Sequence, residues 1–425
     1  DYAAEISRHP GRRVDVEVAP GPRAGTTAVN LRITESKPWY VYAQYANTGT
    51  STTTKNRERF GFTHNQLTGR DDILSLDYTT GDFDEVHAAS AAYAAPFDLS
   101  SPEWRFALGG GYSQFDAREA GIIPASEVEG EDANAGGEIS RQLFQHHELF
   151  VDAAVGARWQ HIEVENRQFP GAPLEAEVNY AVPHADLRLV RNTTTSALRA
   201  RLGVLGGWSD TRDSDVDFVF VSGQTLPVKV FDVLGNQNAD DDFALTTLDA
   251  SWSFYLEPLI DPHGWRDPDQ KKGGTLAHEV ALLARGQWAM DYRLVPQFQQ
   301  VAGGFTTVRG YKQSAVVGDH LALGSAEYRL HLPRLFSPDP SPPELPGMGV
   351  FRLRPAHLWD VPDWDLIFRI FGDVAYVAST DALASEEEET LASTGGGVEL
   401  AVRRNLTVRV DVGHTLGSTH VRGNG

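Results

Sequence analysis

Apolar and polar residues alternate over about ten or more positions in segment after segment of this chain. The segment near 364–378 is a clear example. Its apolar face carries Leu366, Phe368, Ile370, Val374 and Tyr376. Its other face carries Asp365, Arg369, Phe371 and Asp373. A period of two predicts β-strands. Their length favours a membrane-crossing strand, which needs about ten tilted residues, over soluble strands, which average roughly five to six.

The composition excludes several other classes of protein. Only 41% of the residues are hydrophobic and no run of about 18 apolar residues occurs, which excludes a helical membrane protein. The net charge of −21 repels phosphates, so nucleic acid is not expected as a partner. The chain has no cysteine, and disulfides, thiolate metal sites and cysteine nucleophiles are therefore absent.

Fifteen segments carry the strand pattern, and together they predict an all-β fold, a transmembrane antiparallel β-barrel. They lie near 39–47, 57–66, 72–80, 85–96, 104–115, 130–143, 148–162, 175–190, 195–209, 242–257, 276–293, 318–332, 364–378, 391–403 and 405–414. Single-chain bacterial barrels have even strand numbers, so we expect a sixteenth strand that is missing from this chain. A soluble β-protein is the alternative, because any single strand of the series fits one.

Residues 1–37 differ from the rest of the chain. Alternating apolar residues on both sides of a Pro20-Gly21-Pro22 turn predict a hairpin of the ordinary soluble type. The hairpin is too short to be a domain, and we expect it to be the end of one. Residues 38–425 then form the barrel, incomplete at its C-terminus.

The connections between the strands are of two kinds. If the first strand rises from the periplasmic side, long outer loops lie at 210–241, 294–317 and 379–390, and inner turns such as Gln66–Asp71 are short. One inner connection, 333–363, is instead long and rich in proline, which predicts an extended segment. A peripheral arm is one interpretation, and no role is assigned to it.

A tetrapeptide in the outer loop 294–317 carries the strongest indication of function. Val308-Arg309-Gly310-Tyr311 lies between the eleventh and twelfth predicted strands, in the sixth outer loop, and we call these four residues the loop-six motif. Here the sequence resembles the two-partner-secretion transporters (haemolysin secretion and activation proteins) of the BamA-like outer-membrane superfamily. That superfamily has a Val/Ile-Arg-Gly-Tyr/Phe tetrapeptide at the tip of this loop. The following Gly318-Asp319 and Gly324–Arg329 are also similar to the family.

Two further stretches carry the resemblance. The family has a Phe-x-Asp-x-Gly motif on the thirteenth strand, where this chain has Phe371-Gly372-Asp373-Val374-Ala375. Ala375 stands where the family has glycine, which argues against a close backbone approach there. Near the start, several short stretches resemble the end of the last polypeptide-transport-associated (POTRA) domain as it enters the first strand. These are Pro10–Arg13, Pro20–Pro22, Gly25–Thr27 and Lys37–Trp39.

The resemblance implies a buried contact for the loop-six motif. A carboxylate such as Asp373 offers Arg309 a bidentate partner on the inner wall of the barrel. The alternation places Asp373, Glu327 and Arg329 on the same, inward face, and Phe371 lies beside them. Arg309 would be mobile on a long loop without such a partner, so we expect the pair to hold the loop inside the pore.

The other motif residues fit this interpretation. Gly310 permits the tight turn that presents the arginine, and Tyr311 can pack on the inner wall. The loop then either gates the pore or braces the barrel. Both alternatives use the same contact, and the sequence leaves them open.

No catalytic constellation is found, and no enzyme activity, cofactor or metal is predicted. The chain has no Gly-x-Ser-x-Gly elbow, and His278-Glu279 lacks the second histidine of a zinc protease. The acidic run Glu386–Glu389 is interpreted as a solvated loop, and Asp240–Asp242 lacks the glycine and glutamate spacing of a calcium loop. The runs Gly109–Gly111 and Gly395–Gly397 lack a phosphate-loop lysine and indicate a bend or a close neighbour.

These observations predict a translocation pore in the bacterial outer membrane, surrounded by its lipid. The resemblance implies that POTRA domains capture an unfolded secreted protein by β-strand addition and that it passes outward without a nucleotide. A barrel-assembly or insertion factor of the same superfamily, acting on other envelope proteins, is one alternative. A passive porin is another.

Overall fold

The structure is a computed structural model of the chain. It describes residues 2–23, 25–98, 101–118, 127–167, 174–212, 215–219, 225–266, 276–347, 349–358, 360–383, 386, 388–403 and 405–416. Within these ranges no helix is both long enough and apolar enough to cross a membrane. Residues 417–425, Glu387 of the acidic run and parts of the predicted outer loops 210–241 and 379–390 lie outside the described residues.

Strands dominate the described residues. In chain order they are β1 (Arg12–Pro20), β2 (Thr27–Glu35), β3 (Trp39–Ala46), β4 (Arg57–His64), β5 (Ile73–Gly81), β6 (Val86–Asp98), β7 (Ser101–Arg118), β8 (Glu127–His146), β9 (Leu149–Asn166), β10 (Leu174–Asn192), β11 (Ser196–Ser209), β12 (Asp215–Val219), β13 (Thr225–Lys229), β14 (Phe243–Tyr255), β15 (His278–Trp288), β16 (Gln300–Ala302), β17 (Val316–Gly318), β18 (His320–His331), β19 (Glu344–Leu345), β20 (Gly349–Val350), β21 (Trp364–Ala378), β22 (Glu389–Val402) and β23 (Leu406–Thr415). The α-helices are short: α1 (Tyr2–Ser7), α2 (Val230–Val233), α3 (Glu257–Ile260) and α4 (Pro262–Arg266).

The chain divides into two units. The first comprises Asp1–Val190, Leu202–Thr246 and Ala289–Phe298, and the second comprises Arg191–Arg201, Thr247–Trp288 and Gln299–Gly425. In the first unit β3 to β9 pair antiparallel, each strand with the next. In the second unit β15, β18, β21, β22 and β23 pair antiparallel in that order.

These strands, with β10, β11 and β14, belong to one 15-stranded sheet. Each of the predicted strand segments overlaps a strand of this sheet. The prediction of an all-β fold built on a large antiparallel sheet is therefore confirmed. A sixteenth strand stays a prediction.

The two faces of the sheet in the second unit have the opposite character to those of a soluble protein. Exposed apolar side chains share one face, and they include Phe368, Ile370, Val374 and Tyr376 of β21 and Leu406, Val408, Val410 and Val412 of β23. The opposite face of β21 buries Asp365, Arg369 and Asp373. Apolar side chains that face outward and charged ones that face inward suit a sheet with lipid on its outer side.

β9 and β10 in the first unit reverse this polarity along their length. On the exposed face of β9 the side chains change from apolar to polar between Trp159 and His161, towards the β9–β10 connection. On the other face the residues just before this point, Arg158 and Gln160, are polar, and Ile162 and Val164 beyond it are apolar. β10 shows the same change. Because amphipathic aromatic rings prefer a membrane–water boundary, Trp159 marks the level where the strand enters water.

Beyond that level the first unit contains an apolar core. Its strand residues include Ile162, Val164, Val178, Tyr180 and Val182, and its other members include Val230, Phe231, Leu234, Leu294, Val295 and Phe298. Buried Arg293 joins the β15–β16 connection, on which it lies, to the β13–β14 connection. Its Nε donates to Gln237 O at 2.5 Å and its Nη2 donates to Asn236 Oδ1 at 2.7 Å. Residues 289–298 pack into this core, so β15 ends at Trp288, before the predicted 293.

The N-terminal hairpin has a regular register. β1 and β2 pair antiparallel from Arg12 opposite Glu35 to Pro20 opposite Thr27. The assignment of residues 1–37 to the end of a POTRA domain, and of 38–425 to the barrel, stays a prediction.

The proline-rich connection 333–363 has its own short structure. β19 and β20 pair within it, and Arg352 donates to Asp363 Oδ1 through Nε at 3.0 Å and through Nη2 at 2.8 Å. Phe351 is buried. The segment is therefore ordered by ion pairs rather than merely extended.

Candidate functional site

The loop-six motif lies at the end of a short hairpin in the second unit. β16 and β17 pair antiparallel from Gln300 opposite Gly318 to Ala302 opposite Val316. Gly303 and Gly304 follow β16 with positive φ, a conformation that glycine adopts without strain. Gly304 N donates to Val308 O at 3.1 Å. A closed turn therefore presents the motif.

Asp373 on β21 accepts three hydrogen bonds from Arg309. The guanidinium donates from Nε to Oδ2 at 2.8 Å and from Nη2 to Oδ1 at 2.8 Å, and the backbone N of Arg309 donates to Oδ2 at 3.1 Å. Both side chains are buried. The planar fork of a guanidinium matches a carboxylate in this two-point geometry, which fixes the orientation of the arginine as well as its distance.

Four further groups surround the same guanidinium. Nη1 donates to Glu327 Oε2 at 2.6 Å, and Nη2 donates to Ser325 Oγ at 3.2 Å. Asp411 Oδ2 lies 3.4 Å from Nη1. The guanidinium carbon lies 3.4 Å from the centroid of the Phe371 ring, within cation–π distance. Arg309 therefore joins the loop to β18, β21 and β23.

Glu327 is shared between several arginines. Besides its bond from Arg309, its Oε1 accepts from Arg329 Nε at 2.6 Å and from Arg369 Nη2 at 2.5 Å. Arg369 is buried, and its Nη1 lies 3.2 Å from Glu399 Oε2. Burying so many charges is tolerated only because each has partners of opposite sign.

Two glycines allow the motif to touch the backbone of β23. A Cβ on Gly413 would lie 2.6 Å from Gly310 N and 2.7 Å from Arg309 C. Gly310 has a φ of 95°, and a Cβ there would lie 2.9 Å from Gly413 C. A Cβ on Gly395 would lie 2.5 Å from Phe371 Cζ. Gly395 thus has two close neighbours, the backbone of Val412 on β23 and the Phe371 ring beside Arg309.

Val308 and Tyr311 attach the two sides of the motif to the wall. Val308 and Ala375 are fully buried in an apolar cluster with Leu321, Leu323, Val377 and Leu391. Alanine in place of the family's glycine thus packs its methyl group under the motif, and the close approach occurs at Gly413 instead. Tyr311 Oη donates to Ala392 O at 3.2 Å.

The structure brings the predicted site residues together in one unit. These are Val308, Arg309, Gly310, Tyr311, Glu327, Arg329, Phe371 and Asp373. It adds four residues that were not predicted from the sequence to belong to the site: Ser325, Arg369, Asp411 and Gly413. Arg369 and Asp411 stand on charged faces of predicted strands, so the alternation was the one available indication.

The motifs discounted in the sequence have other partners. Asp241 and Asp242 pair with Arg212, and His278 Nδ1 lies 2.6 Å from Tyr328 Oη. Two groups in the described part of the chain are close enough to hold a metal ion: Glu138, His184 and Asp186, and His161, Glu163 and Glu177. In the first group Arg188 donates to both carboxylate oxygens of Glu138 at 2.6 Å, which occupies that carboxylate.

Comparison with known proteins supports the resemblance. The family model of the haemolysin secretion/activation protein ShlB/FhaC/HecB matches residues 25–169. The heme/hemopexin transporter protein HuxB of Haemophilus influenzae (strain 86-028NP) is 22% identical over 338 residues, which is 78% of this chain and 52% of HuxB. The chain thus spans about half the length of this curated relative.

Two solved structures share the fold. CdiB from Escherichia coli matches with a TM-score of 0.69 and 14% identity, over 98% of this chain and 66% of CdiB. BamA from Haemophilus ducreyi lacking POTRA domains 1–3 matches with a TM-score of 0.51 and 12% identity, over 99% of this chain and 75% of that chain. At these identities the likeness concerns the fold alone.

The comparisons agree with the class predicted from the sequence. The matched family is one of transporters and not of enzymes. The inverted polarity of the strand faces agrees with the membrane barrels that share the fold. The chain is therefore a bacterial outer-membrane β-barrel protein, similar to the two-partner-secretion transporters of the BamA-like superfamily.

Proposed function

We propose that this chain forms the pore through which a two-partner-secretion transporter exports an unfolded partner protein across the outer membrane. The loop-six motif reaches into the lumen, and the pairing of Arg309 with Asp373 holds it against the wall. The observation that carries this proposal is the burial of the Arg309 guanidinium against three strands, β18, β21 and β23. POTRA domains would capture the partner before it enters the pore.

The held loop gates the pore in this proposal. Each of the carboxylates that bind Arg309 belongs to the wall, whereas the arginine belongs to a connection between strands. The strands also pair through their own backbone bonds and do not need the arginine to stay together. Loss of Arg309 should therefore release the loop and leave the barrel folded.

The test is Arg309→Ala in the full-length protein, with Lys312→Ala as matched control. Lys312 is an exposed cation on the same loop. We expect Arg309→Ala to abolish secretion of the partner protein and to change single-channel conductance, with normal insertion into the outer membrane. Lys312→Ala should secrete normally. Normal secretion and conductance in Arg309→Ala would contradict the proposal, and loss of the folded barrel would favour bracing over gating.

A barrel-assembly factor is the second candidate, and the fold likeness to BamA favours it. The same variant separates the two functions. Arg309→Ala in an assembly factor would lower the amounts of other outer-membrane proteins, measured by quantitative proteomics of the envelope. A secretion pore would leave those amounts unchanged and lose its single exported partner. A passive porin would show neither effect.

A further inference from the structure

An open cavity of about 450 Å³ lies beside the loop-six motif in the second unit. Its wall includes five arginines, Arg199, Arg309, Arg329, Arg369 and Arg409, but a single carboxylate, Glu327. Such a lining is unexpected in a chain with a net charge of −21. The cavity is therefore a local cationic surface in an otherwise acidic protein.

The acids that pair with these arginines are almost fully covered, and Asp373 and Asp411 lie outside the cavity lining. The side chains of Asp373, Asp411 and Glu327 are 0%, 3% and 5% exposed. Arg329 and Arg409 keep 28% and 27% of their side chains exposed. A ligand in the cavity would thus meet mainly the guanidinium edges of Arg329 and Arg409, because Glu327, the one carboxylate in the lining, is almost fully covered.

Arg199 on β11 contributes the least compensated charge. It is exposed, lines the cavity, and has no ion-pair partner among the residues that the structure describes. Thr307 also lines the cavity, and its buried hydroxyl lacks a hydrogen-bond partner within the described ranges. Arg409 lines the same cavity, and its guanidinium carbon lies 4.5 Å from the centroid of the Phe305 ring, within cation–π distance.

We propose that this cavity is a subsite for the carboxylate groups of an acidic polypeptide segment in transit. Planar guanidinium forks match carboxylates in two-point geometry and are weakly hydrated, so they exchange water for a carboxylate at low cost. The acidic remainder of the chain repels such a segment, which makes the cavity the favoured resting point along its path. The inference rests on the proposed function, since it names the chemistry of the cargo.

The probe is a fluorescein-labelled hexaglutamate peptide, with labelled hexalysine as the opposite charge. Fluorescence anisotropy measures its binding to the purified full-length protein in a non-ionic detergent at low salt. Arg199→Gln removes the uncompensated charge. Arg201→Gln is the matched control, because Arg201 lies on the same strand and face but outside the cavity lining.

We expect hexaglutamate to bind, hexalysine not to bind, and affinity to fall as salt rises. Arg199→Gln should weaken hexaglutamate binding about tenfold, as for the loss of one charge-assisted hydrogen bond, and Arg201→Gln less than about twofold. Arg199→Lys keeps the charge but not the fork, and should fall between the wild type and Arg199→Gln.

Three results would overturn the inference: no binding of hexaglutamate, equal binding of hexalysine, or equal losses in the Arg199 and Arg201 variants. None of these results contradicts the proposed function, which is tested separately by the secretion assay on Arg309→Ala. If that variant secretes normally while hexaglutamate binds in the predicted order, the cavity is an anion site and the pore proposal fails alone.

Discussion

Replacing Arg309 by alanine should release the loop-six motif, and the structure sets the size of the effect. Removing one partner of a buried ion pair costs about 3–5 kcal/mol. Glu327 keeps Arg329 and Arg369 as donors, and Asp373 keeps the hydroxyl of Ser325 at 2.6 Å. Because neither acid is left wholly unpaired, the lower end of the range applies, about 3 kcal/mol.

That energy acts on the equilibrium between the held and the released loop. A change of about 3 kcal/mol corresponds to roughly two powers of ten in the population of the released state, at about 1.4 kcal/mol per tenfold. Nearly all of this is lost contact energy, since the β16–β17 hairpin that carries the motif remains intact. The released loop should therefore become measurable without unfolding of the barrel.

The assay uses the absence of cysteine in the chain. A single Thr307→Cys substitution places a thiol at a position that is 6% exposed next to the motif, where a water-soluble thiol reagent reacts slowly in the held state and rapidly in the released state. We expect its reaction rate to rise roughly 100-fold when Arg309→Ala is added, in proportion to the released population. Lys312→Cys, at an exposed position, should react equally fast in both backgrounds.

Two outcomes would refute the reasoning. A rate at Thr307→Cys that changes less than about threefold would show that the ion pair does not hold the loop. Arg309→Lys retains the charge but not the bidentate fork, and should give an intermediate rate. If Arg309→Lys matches the wild type, charge alone holds the loop and the two-point geometry is irrelevant.

Three other predictions follow from the contacts. Gly413→Val should release the motif, because a Cβ at this position would lie 2.6 Å from Gly310 N. The reaction rate of Thr307→Cys should therefore rise in this variant. Gly372→Ala is the control and should leave the rate unchanged, because the nearest atom to its Cβ would be 3.9 Å away. Arg293→Ala should cost about 2 kcal/mol locally, seen as faster amide exchange in 230–243, with exchange in β21 unchanged as control. Burial lowers the pKa of His9 below its usual 6.5, although the hydrogen bond with Asn65 O acts in the opposite direction. The packing of the neutral ring is therefore fully stable above pH 6.5 and weakens as the pH falls below it, because the open state takes up the proton first. Amide exchange in β1, corrected for its intrinsic pH dependence, should report this weakening, and His9→Gln should abolish it.

The sequence by itself determined which residues share a face in strands such as β21 and β23, and which of the two faces is apolar. This was possible because side chains alternate with a fixed period of two, so that Ile370 and Asp373 must lie on opposite faces wherever β21 is placed. The same alternation turned Glu327 and Arg329 inward. The loop-six motif was recognisable because its four residues are contiguous.

Tertiary structure alone decided which inward residues meet. Alternation assigns a face but not a height, and height depends on the register between strands. The β18–β21 register sets Ser325 opposite Asp373, and the β22–β23 register sets Gly395 opposite Gly413. Only this stacking brings Asp411 and Gly413 under Arg309.

The outer core of the first unit was beyond sequence reasoning for a related reason. Arg293 and its acceptors lie on connections that have no periodicity, so nothing local indicates their partners. They meet because the apolar residues of β9 and β10 beyond Trp159 would be exposed to water if the connections did not cover them. Local periodicity thus determines on which face of a strand a side chain lies. Which other residues it contacts is determined only when the whole chain packs and buries its apolar surface.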